Sequence, residues 1–549
     1  MPIRRLVEAA LLMGVFSCAI FWPRLGEGFF SSAARRANAL ARRPLLCCAG
    51  LVLLVIFVRL AMLPFWDIPV AAVHDEFSYL LLGDTLAHGR LANPPHPMRQ
   101  FFEVTHVLST PTYASKYFPG QGVFLAFGQA LLGHPWFGVL LSSALMAGAT
   151  LWAAFAWLPP GWALLAGVLC FPMSAISYWM NSYWGGSVCG LGGALVLGAV
   201  GRMLDGTRGV YANSTLLGAG SVLICWTRPF EGILFLTPLF LFLLWKSHKT
   251  LPLTAWIPVT AVGLLGAAFL GFFFYRITGN AMVPPEAEFQ RQYGRAPLFI
   301  FGEVGPLRQL RDPHMDLVHN RWEVELIERE RTLDGLLERG AKNWGAVAQI
   351  AGGHWILLVP LLCLWPFIIR TKPGILCWLV LIIYAASAPE MYFMPHFSAP
   401  QFAAIIIVVA AGFQHLYSWK FQGKPAGRLL APALAAVGLL LGLGGTAWDW
   451  MKTHESGDPM TYFTLPTGGR DRLEQSLAEG KHVVLVRYEP PYNFHAQWVF
   501  NKANIDLQSV VWAHDLGEQE NRLLQAYYPD RKFWLYRPNQ DPTWLTEYK

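Results

Sequence analysis

Two adjacent acidic residues, Asp75 and Glu76, follow the first long apolar segment of the chain and open a helix-like run, Leu80 to Leu86. At the start of a helix, acidic side chains offset the helix dipole and cap free N–H groups. If the pair is held close to a membrane surface, one carboxylate is suited to act as a general base and the other to assist it. The pattern by itself leaves both interpretations open.

Four histidines crowd the same segment as two glutamates: His74, His88, His96, His106, Glu76 and Glu103. Imidazole and carboxylate groups bind zinc and other divalent ions. The spacing matches no standard ligand motif, so we interpret the histidines as solvent-exposed side chains of a loop. No cofactor is certain from this pattern, and a divalent metal is the alternative.

The composition indicates the surroundings of these residues. Hydrophobic residues make up 54% of the 549 positions and charged residues only 14%, whereas soluble proteins carry about a quarter charged residues. Lipid is therefore the expected solvent. Much of the net charge of +7 is clustered at the N-terminus, which indicates a cytoplasmic bias or contact with anionic lipid rather than nucleic-acid binding. All eight cysteines lie in apolar stretches and are predicted to be free and buried.

Eleven apolar segments have about the length of a membrane span. They lie near residues 45–63, 136–157, 162–179, 186–204, 214–228, 230–246, 253–275, 350–369, 374–389, 397–418 and 429–448. Basic residues in five separate loops agree on an inside N-terminus and an outside C-terminus, because Lys and Arg favour the cytoplasmic side. The stretch Leu6–Trp22 is predicted to be an interfacial or re-entrant helix, with an extra span as the alternative.

This orientation predicts that three large polar segments, residues 64–135, 276–349 and 449–549, share the outside face. The first contains the apolar run Gly122–Leu132, which is too short to span and is predicted to lie in the interface. The last alternates helix-like and strand-like stretches, the pattern of a small α/β domain with a largely parallel sheet.

The predicted fold class is therefore a polytopic α-helical membrane protein of about eleven spans with a small C-terminal α/β extracytoplasmic domain. Residues 1–44 form a cytoplasmic or interfacial segment, residues 45–448 the transmembrane domain and residues 449–549 the extracytoplasmic domain.

Five stretches, spread over about residues 45–420, carry a resemblance to a known family. They are Asp75-Glu76, Gly89-Arg90-Leu91-Ala92, Lys116-Tyr117-Phe118-Pro119-Gly120, Thr227-Arg228-Pro229 and Pro395-His396-Phe397-Ser398-Ala399-Pro400. In their order and topology they resemble the GT-C glycosyltransferases. Within that superfamily they are most similar to the dolichyl-phosphate-mannose protein mannosyltransferases and the bacterial lipid A aminoarabinose transferases.

The resemblance implies an inverting transfer of a sugar from a polyprenyl-phosphate carrier, on the non-cytoplasmic face of what we expect to be a bacterial inner membrane. Asp75 matches the family's base, and Glu76 would orient it or the acceptor. Arg228, Arg276 and His396 are the candidates for binding the donor phosphate, because a departing phosphate needs cationic or hydrogen-bonding partners. The implied partners are the donor, membrane lipids and an acceptor that can be protein, glycan or lipid.

Two departures and two alternatives accompany this hypothesis. His396 stands where the family often has Arg, and Asn181–Gly186 replaces its usual outside-facing Asp after the third span. Arg228 and Glu231 can also simply pair with each other, and Arg276 can merely extend to the interface. A catalytically silent membrane scaffold of a surface assembly, or a lipid or sugar transporter, is the competing function, although the chain shows no internal repeat of the kind transporters often have.

Overall fold

The chain folds as a bundle of apolar helices that carries a small sheet domain. In this computed structural model the described residues are 2–71, 73–350, 354–392, 394–456, 469–477, 479–489, 498–538 and 545–549. In chain order the helices are α1 (Pro2–Phe21), α2 (Glu27–Leu40), α3 (Pro44–Ala61), α4 (His74–Ala87), α5 (Pro119–Leu132), α6 (Trp136–Trp157), α7 (Pro160–Ala175), α8 (Gly186–Leu204), α9 (Val210–Cys225), α10 (Pro229–Ser247), α11 (Ile257–Thr278), α12 (Pro285–Gln292), α13 (Pro313–Asp316), α14 (Glu323–Glu330), α15 (Leu333–Ile350), α16 (Val359–Ile368), α17 (Gly374–Ser387), α18 (Phe402–Tyr417), α19 (Gly427–Ser456), α20 (Gly469–Ser476) and α21 (Glu518–Tyr527).

The predicted polytopic architecture is confirmed. Seven of the described helices are long and apolar enough to cross a membrane, namely α3, α6, α8, α10, α11, α18 and α19, the last two in the segments Pro395–Tyr417 and Gly427–Gly445. The shorter apolar helices α7, α9, α16 and α17 coincide with the remaining predicted spans. The neighbouring predicted spans 214–228 and 230–246 correspond to two helices, α9 and α10, joined by a turn of three residues, Trp226–Arg228.

The first helix differs from the expected interfacial segment. Glu8 of α1 contacts His354 at 3.4 Å and accepts a hydrogen bond from Trp355, at the end of the α16 span that follows the second outside segment. Glu27, which opens α2, pairs with Arg428 at 3.0 Å, at the start of α19 on the opposite side of the bundle. The helix α1 therefore extends from one side of the bundle to the other, which agrees with the alternative that Leu6–Trp22 is an extra span.

Small residues let the helices approach closely around the site described below. A Cβ atom on Gly193 of α8 would lie 1.9 Å from the carbonyl oxygen of Pro400, and one on Gly138 of α6 would lie 1.9 Å from that of Phe124. Close backbone contact at glycine is the usual way in which helices pack where lipid is the solvent. These contacts hold α5 and the Pro395–Gln401 segment tightly against the bundle.

The C-terminal domain has the predicted parallel sheet. A hairpin in the first outside segment contributes β1 (Val107–Leu108) and β2 (Ala114–Ser115), and the domain contributes β3 (His482–Val486), β4 (Val510–His514), β5 (Lys532–Tyr536) and β6 (Leu545–Glu547). The strand order is β4-β3-β5-β6, with β6 antiparallel to β5 and the other pairs parallel. The helix α21 connects β4 to β5, which lie on either side of β3, and such helical crossovers between parallel strands are typical of α/β units.

The three outside segments contact one another directly. The Tyr113 hydroxyl donates to the Asn501 carbonyl at 3.0 Å, and His514 contacts both the Glu103 carbonyl at 2.8 Å and the Asp312 carboxylate at 3.3 Å. The first segment, the second segment and the C-terminal domain are thus packed together at one end of the bundle, as the alternation of basic loops predicts.

Candidate active site

The helix α4 begins at the acidic pair, and the two carboxylates have different surroundings. Glu76 is 2% exposed; it accepts hydrogen bonds from the backbone N–H of Val73 at 3.3 Å and of Tyr183 at 3.0 Å. It therefore ties the start of α4 to the Asn181–Gly186 segment, so that its role is to position the helix. These contacts are those of a residue at a helix start, and the predicted role of Glu76 in orienting Asp75 or the acceptor stays a prediction.

Asp75 is the more accessible of the two carboxylates, with 31% of its side chain exposed. His74 Nδ1 lies 3.0 Å and His106 Nε2 3.5 Å from its oxygens, and the Tyr117 hydroxyl donates to the same oxygen as His106. Burial by itself would raise the pKa of Asp75, but His106 and His74 hold that pKa well below its usual range. Asp75 is therefore ionised at neutral pH and can accept a proton.

His106 and Tyr117 reach Asp75 because of the short hairpin in the first outside segment. Pairing of Val107 with Ser115 sets His106 opposite the start of the Lys116-Tyr117 stretch, and the His106 carbonyl accepts from the Lys116 N–H at 3.1 Å. His106 has a positive φ of 69°, which is uncommon for a side chain of its size and recurs at functional sites.

Burial corrects the interpretation of the histidines. His74 and His106 are 7% and 8% exposed, their rings lie 4.5 Å apart in edge contact, and only His88 is exposed. Burial lowers the pKa of His106 to about 3, with the Lys116 ammonium as the second cause. The imidazole is therefore neutral at neutral pH and serves Asp75 as a hydrogen-bond donor.

The same three residues form a set that fits a divalent metal ion. The ligand atoms of His74, Asp75 and His106 all lie within 4.8 Å of one another, and two imidazoles with a carboxylate are a donor set that zinc and related ions accept. In addition, His106 Nδ1 is buried and makes no hydrogen bond, which leaves its lone pair available. The spacing in the sequence hides this cluster, because the hairpin and not the local chain brings His106 to the helix start.

The turn between α9 and α10 carries Arg228 and packs against Gly120 of the first polar segment. The Gly120 N–H donates to the Trp226 carbonyl at 2.7 Å, and a Cβ atom on Gly120 would lie 2.4 Å from the Thr227 hydroxyl oxygen. Only glycine permits this approach, which explains the Pro-Gly element of the first segment. Pro229 then starts α10 at its first position, where its fixed φ is favourable.

Arg228 is linked to Asp75 through two stacked tyrosines. Tyr117, which donates to Asp75, stacks on Tyr79 with ring centroids 4.1 Å apart. Both rings interact electrostatically with Arg228. Their effect on its pKa is smaller than that of Glu231, whose carboxylate lies 3.6 Å from the guanidinium. Burial disfavours the cation, but these neighbours keep the pKa of Arg228 above its usual value. A base and a permanently charged guanidinium therefore share one site.

The other two predicted phosphate ligands have different positions. His396 is 4% exposed; its ring lies 4.9 Å from that of Phe397, over which the Arg228 guanidinium lies at 3.8 Å. The structure thus brings His396 to Arg228. Arg276 is exposed near the end of α11, and its guanidinium lies over Phe272 of the same helix at 5.9 Å. The structure does not bring Arg276 to the site, as expected for a side chain that extends to the interface.

One further acidic residue, Glu390, lies close to Glu231 and Arg228 and was not predicted from the sequence. Burial, and after it the nearby Glu231, raises the pKa of Glu390 to about 8, so this carboxyl is largely protonated at neutral pH. Its Oε2 is buried and makes no hydrogen bond. A neutral carboxyl of this kind can donate a hydrogen bond to a ligand. No local signal marks Glu390, because its surroundings depend on residues far away in the chain.

Comparison with known proteins supports the architecture. The fold is similar to the crystal structure of ArnT, a lipid A aminoarabinose transferase, from Cupriavidus metallidurans in the apo state, with a TM-score of 0.51 and 12% sequence identity, over 90% of this chain and 92% of that chain. The polytopic fold that the resemblance implies is thus confirmed.

Two other solved structures are more distant. ArnT from the same organism bound to undecaprenyl phosphate gives a TM-score of 0.44 at 13% identity, over 82% of this chain and 83% of that chain. The Archaeoglobus fulgidus oligosaccharyltransferase in complex with Zn and sulfate gives 0.42 at 13% identity, over 80% and 60%. No protein-family model matches the chain, and no curated protein matches it in sequence.

Proposed function

We propose that this chain is an inverting membrane glycosyltransferase that moves a sugar from a polyprenyl-phosphate carrier to an acceptor hydroxyl at the end of the bundle where the outside segments lie. The observation that carries the proposal is Asp75, an ionised carboxylate that the stacked rings of Tyr117 and Tyr79 link to the Arg228 guanidinium. A base and a fixed cation close to one another are the two groups that such a transfer requires.

The proposed step forms one bond and breaks one. The acceptor oxygen attacks the anomeric carbon while the bond from that carbon to the phosphate oxygen breaks, and Asp75 takes the acceptor proton. The polyprenyl phosphate leaves with the bonding electron pair. Asp75 is suited to this task because His74, His106 and Tyr117 hold it ionised and oriented. Glu390, in its protonated form, can donate a hydrogen bond to a ligand close to Arg228.

Arg228 stabilises the negative charge on the leaving phosphate, and His396 is a neighbouring hydrogen-bonding group. Hydrogen bonds to a charged group contribute about 1.5–3 kcal/mol each, and more specificity comes from the planar guanidinium fork. A divalent ion bound by His74, Asp75 and His106 would polarise an oxygen ligand there as a Lewis acid. The residues of this chain bind the donor, orient the base and exclude water.

The test is Asp75→Asn, with Asp67→Asn as the matched control in the same outside segment. Purified variants are incubated with a panel of polyprenyl-phosphate sugars and acceptor-bearing membranes, and release of polyprenyl phosphate is measured. Loss of a positioned base lowers the rate by about 10²–10⁴-fold, whereas Asp67 is exposed and its replacement leaves the rate unchanged. Near-wild-type turnover by Asp75→Asn would remove the base from this position. An inert wild type that binds the donors would favour a scaffold or transporter.

A further inference from the structure

The helix α2 lies at the end of the bundle opposite to the outside segments, and none of its residues is buried. Glu27 at its start pairs with Arg428 at the start of α19. Near its other end, a Cβ atom on Gly161 of α7 would lie only 2.6 Å from the Asn38 side-chain oxygen. Because α6 begins beside the first outside segment and α7 follows it, Gly161 is at the inside end of these helices. The helix α2 therefore lies across the inside ends of α7 and α19.

One side of α2 packs on the bundle, and another carries an apolar stripe that the bundle does not cover. Phe30 packs against the core, and Ala41, directly after the helix, is buried. Phe29, Ala33 and Leu40 follow one another at spacings of four and seven, so they share a different face. Phe29 is 73% and Leu40 57% exposed. An apolar stripe beside a strongly polar face is typical of a helix that lies in the membrane interface.

The chain around this helix is strongly basic. Residues 22–46 include five arginines and one acidic residue, Glu27, which is already paired with Arg428. Within the part of the chain that the structure describes, the five arginines are exposed and pair with no acidic side chain; they are Arg24, Arg35, Arg36, Arg42 and Arg43. Such an excess of cations attracts anions from the surroundings of the protein.

The start of α3 defines the level of these cations in the membrane. Arg42 and Arg43 directly precede α3, which is apolar enough to span, and its residues Leu45 and Leu46 are largely exposed to the surroundings of the bundle. The span therefore enters lipid within one turn of Arg43. Exposed Trp22, at the end of α1, is an aromatic residue of the type found at this interface. The arginines thus lie at the level of the lipid headgroups.

We propose that α2 and the Arg42-Arg43 turn bind the headgroups of anionic phospholipids in the leaflet opposite to the candidate active site. Phe29 and Leu40 enter the apolar part of the interface, and the arginines extend to the phosphates. A guanidinium donates two parallel hydrogen bonds to a phosphate. A headgroup with a net negative charge is preferred over a zwitterionic one, whose ammonium group offsets its phosphate. The inference does not depend on the proposed glycosyl transfer.

The experiment compares two photoreactive probes, phosphatidylglycerol and phosphatidylcholine with a diazirine in the headgroup region. The purified protein is reconstituted with each probe in phosphatidylcholine bilayers, irradiated and digested, and adducts in residues 22–46 are quantified by mass spectrometry. We expect wild type to give roughly three- to tenfold more adducts with the anionic probe, since each basic residue near the surface adds attraction for it. Salt at about 0.5 M should lower this ratio towards one, because the screening length shortens to about 4 Å.

Two fourfold variants separate α2 from the overall charge of the inside face. The first carries Arg35→Gln, Arg36→Gln, Arg42→Gln and Arg43→Gln. The matched control removes four exposed cations from other inside loops, by Arg208→Gln, Lys246→Gln, Lys249→Gln and Arg370→Gln. We expect the adduct ratio in residues 22–46 to fall below about two in the first variant and to stay at the wild-type value in the control. Replacement of the first four arginines by lysine keeps their charge and should keep most of the preference.

Three outcomes overturn the proposal. Equal labelling of wild type by the two probes shows that these residues do not prefer anionic lipid. The same fall of the ratio in both glutamine variants assigns the preference to the whole inside face. Crosslinks between protein copies in residues 22–46, in place of lipid adducts, show that a second copy covers the apolar stripe. The wild-type ratio and its salt dependence require no variant, so they test the proposal independently of how the glutamine variant folds.

Discussion

At the scale of residues, the site depends on pairs that are close in space and distant in the chain. Asp75 is ionised because His106 and His74 contact it, and Arg228 stays charged in a buried position because Glu231, Tyr79 and Tyr117 surround it. Each of these ionisable groups would be costly if isolated at low dielectric. Their mutual arrangement therefore explains why all of them persist so close to a membrane.

Arg228 is expected to bind the donor phosphate, and its replacement tests this at one residue. In Arg228→Ala the affinity for a polyprenyl monophosphate should fall by roughly 10–100-fold, because one or two hydrogen bonds to a charged group are lost. Arg276→Ala serves as control, since Arg276 is an exposed arginine at the end of α11, and its affinity should change less than about twofold. Equal effects of the two substitutions would show that the phosphate is held elsewhere.

Sequence reasoning singled out Asp75 and Arg228 because each is a charged residue beside an apolar segment, where such residues tend to be functional; their roles stay predictions. It did not find the role of His106, because the pairing of β1 with β2 decides its position. It also did not anticipate that Glu76 accepts hydrogen bonds from two backbone N–H groups, of Val73 and Tyr183. Local patterns reveal which residue types are present but not which partner a folded hairpin supplies.

At the scale of elements, α4 is the helix that presents the base, and two neighbours hold it. Asp84 of α4 accepts from the Gln129 side chain of α5 at 2.7 Å and from the backbone N–H of Ala503 in the C-terminal domain at 2.8 Å. Phe77 also contacts Phe500 with ring centroids 4.7 Å apart. The C-terminal domain therefore packs on α4, the helix that carries Asp75, and restrains its orientation.

Replacement of Asp84 by Asn should loosen this junction. Asparagine has one acceptor oxygen, so either Gln129 or Ala503 loses its partner, and a buried donor without a partner costs about 1–3 kcal/mol. We expect Asp84→Asn to unfold at a lower temperature than wild type and to give a lower turnover. Asp334→Asn, an exposed carboxylate at the start of α15, should match wild type in both. An unchanged unfolding temperature for Asp84→Asn would show that the junction does not restrain α4.

Hydropathy predicted the spans because a segment in lipid must satisfy its backbone internally and be apolar for about 20 residues. The same criterion failed for α1, since Glu8 interrupts its apolar run. The partner that permits a carboxylate there, His354, lies far along the chain. Burial of one ionisable group against another is a property of the assembled bundle and is not visible in a window of sequence.

At the scale of the whole molecule, the two ends of the bundle differ. One end carries the contacts between the first outside segment, the second and the C-terminal domain, as in the His514 contacts with Glu103 and Asp312. The other carries basic loops, where Lys372 donates to the carbonyls of Ala156 and Gly201. This polarity is consistent with the orientation expected from positive residues on the cytoplasmic side.

The path of α1 then predicts the location of the N-terminal end. Because Glu8 lies beside His354 while Glu27 pairs with Arg428, the start of α1 should be on the same side as the C-terminal domain. A helix of 20 residues is about 30 Å long, enough to cross the hydrocarbon core. Single cysteines are introduced as Pro2→Cys, Ser32→Cys in α2 and Leu507→Cys in the C-terminal domain. Each is treated with a membrane-impermeant maleimide from one side, with the parent protein correcting for native cysteines. We expect positions 2 and 507 to react together and position 32 from the opposite side. If positions 2 and 32 are instead labelled from the same side of the membrane, α1 lies along the inside surface.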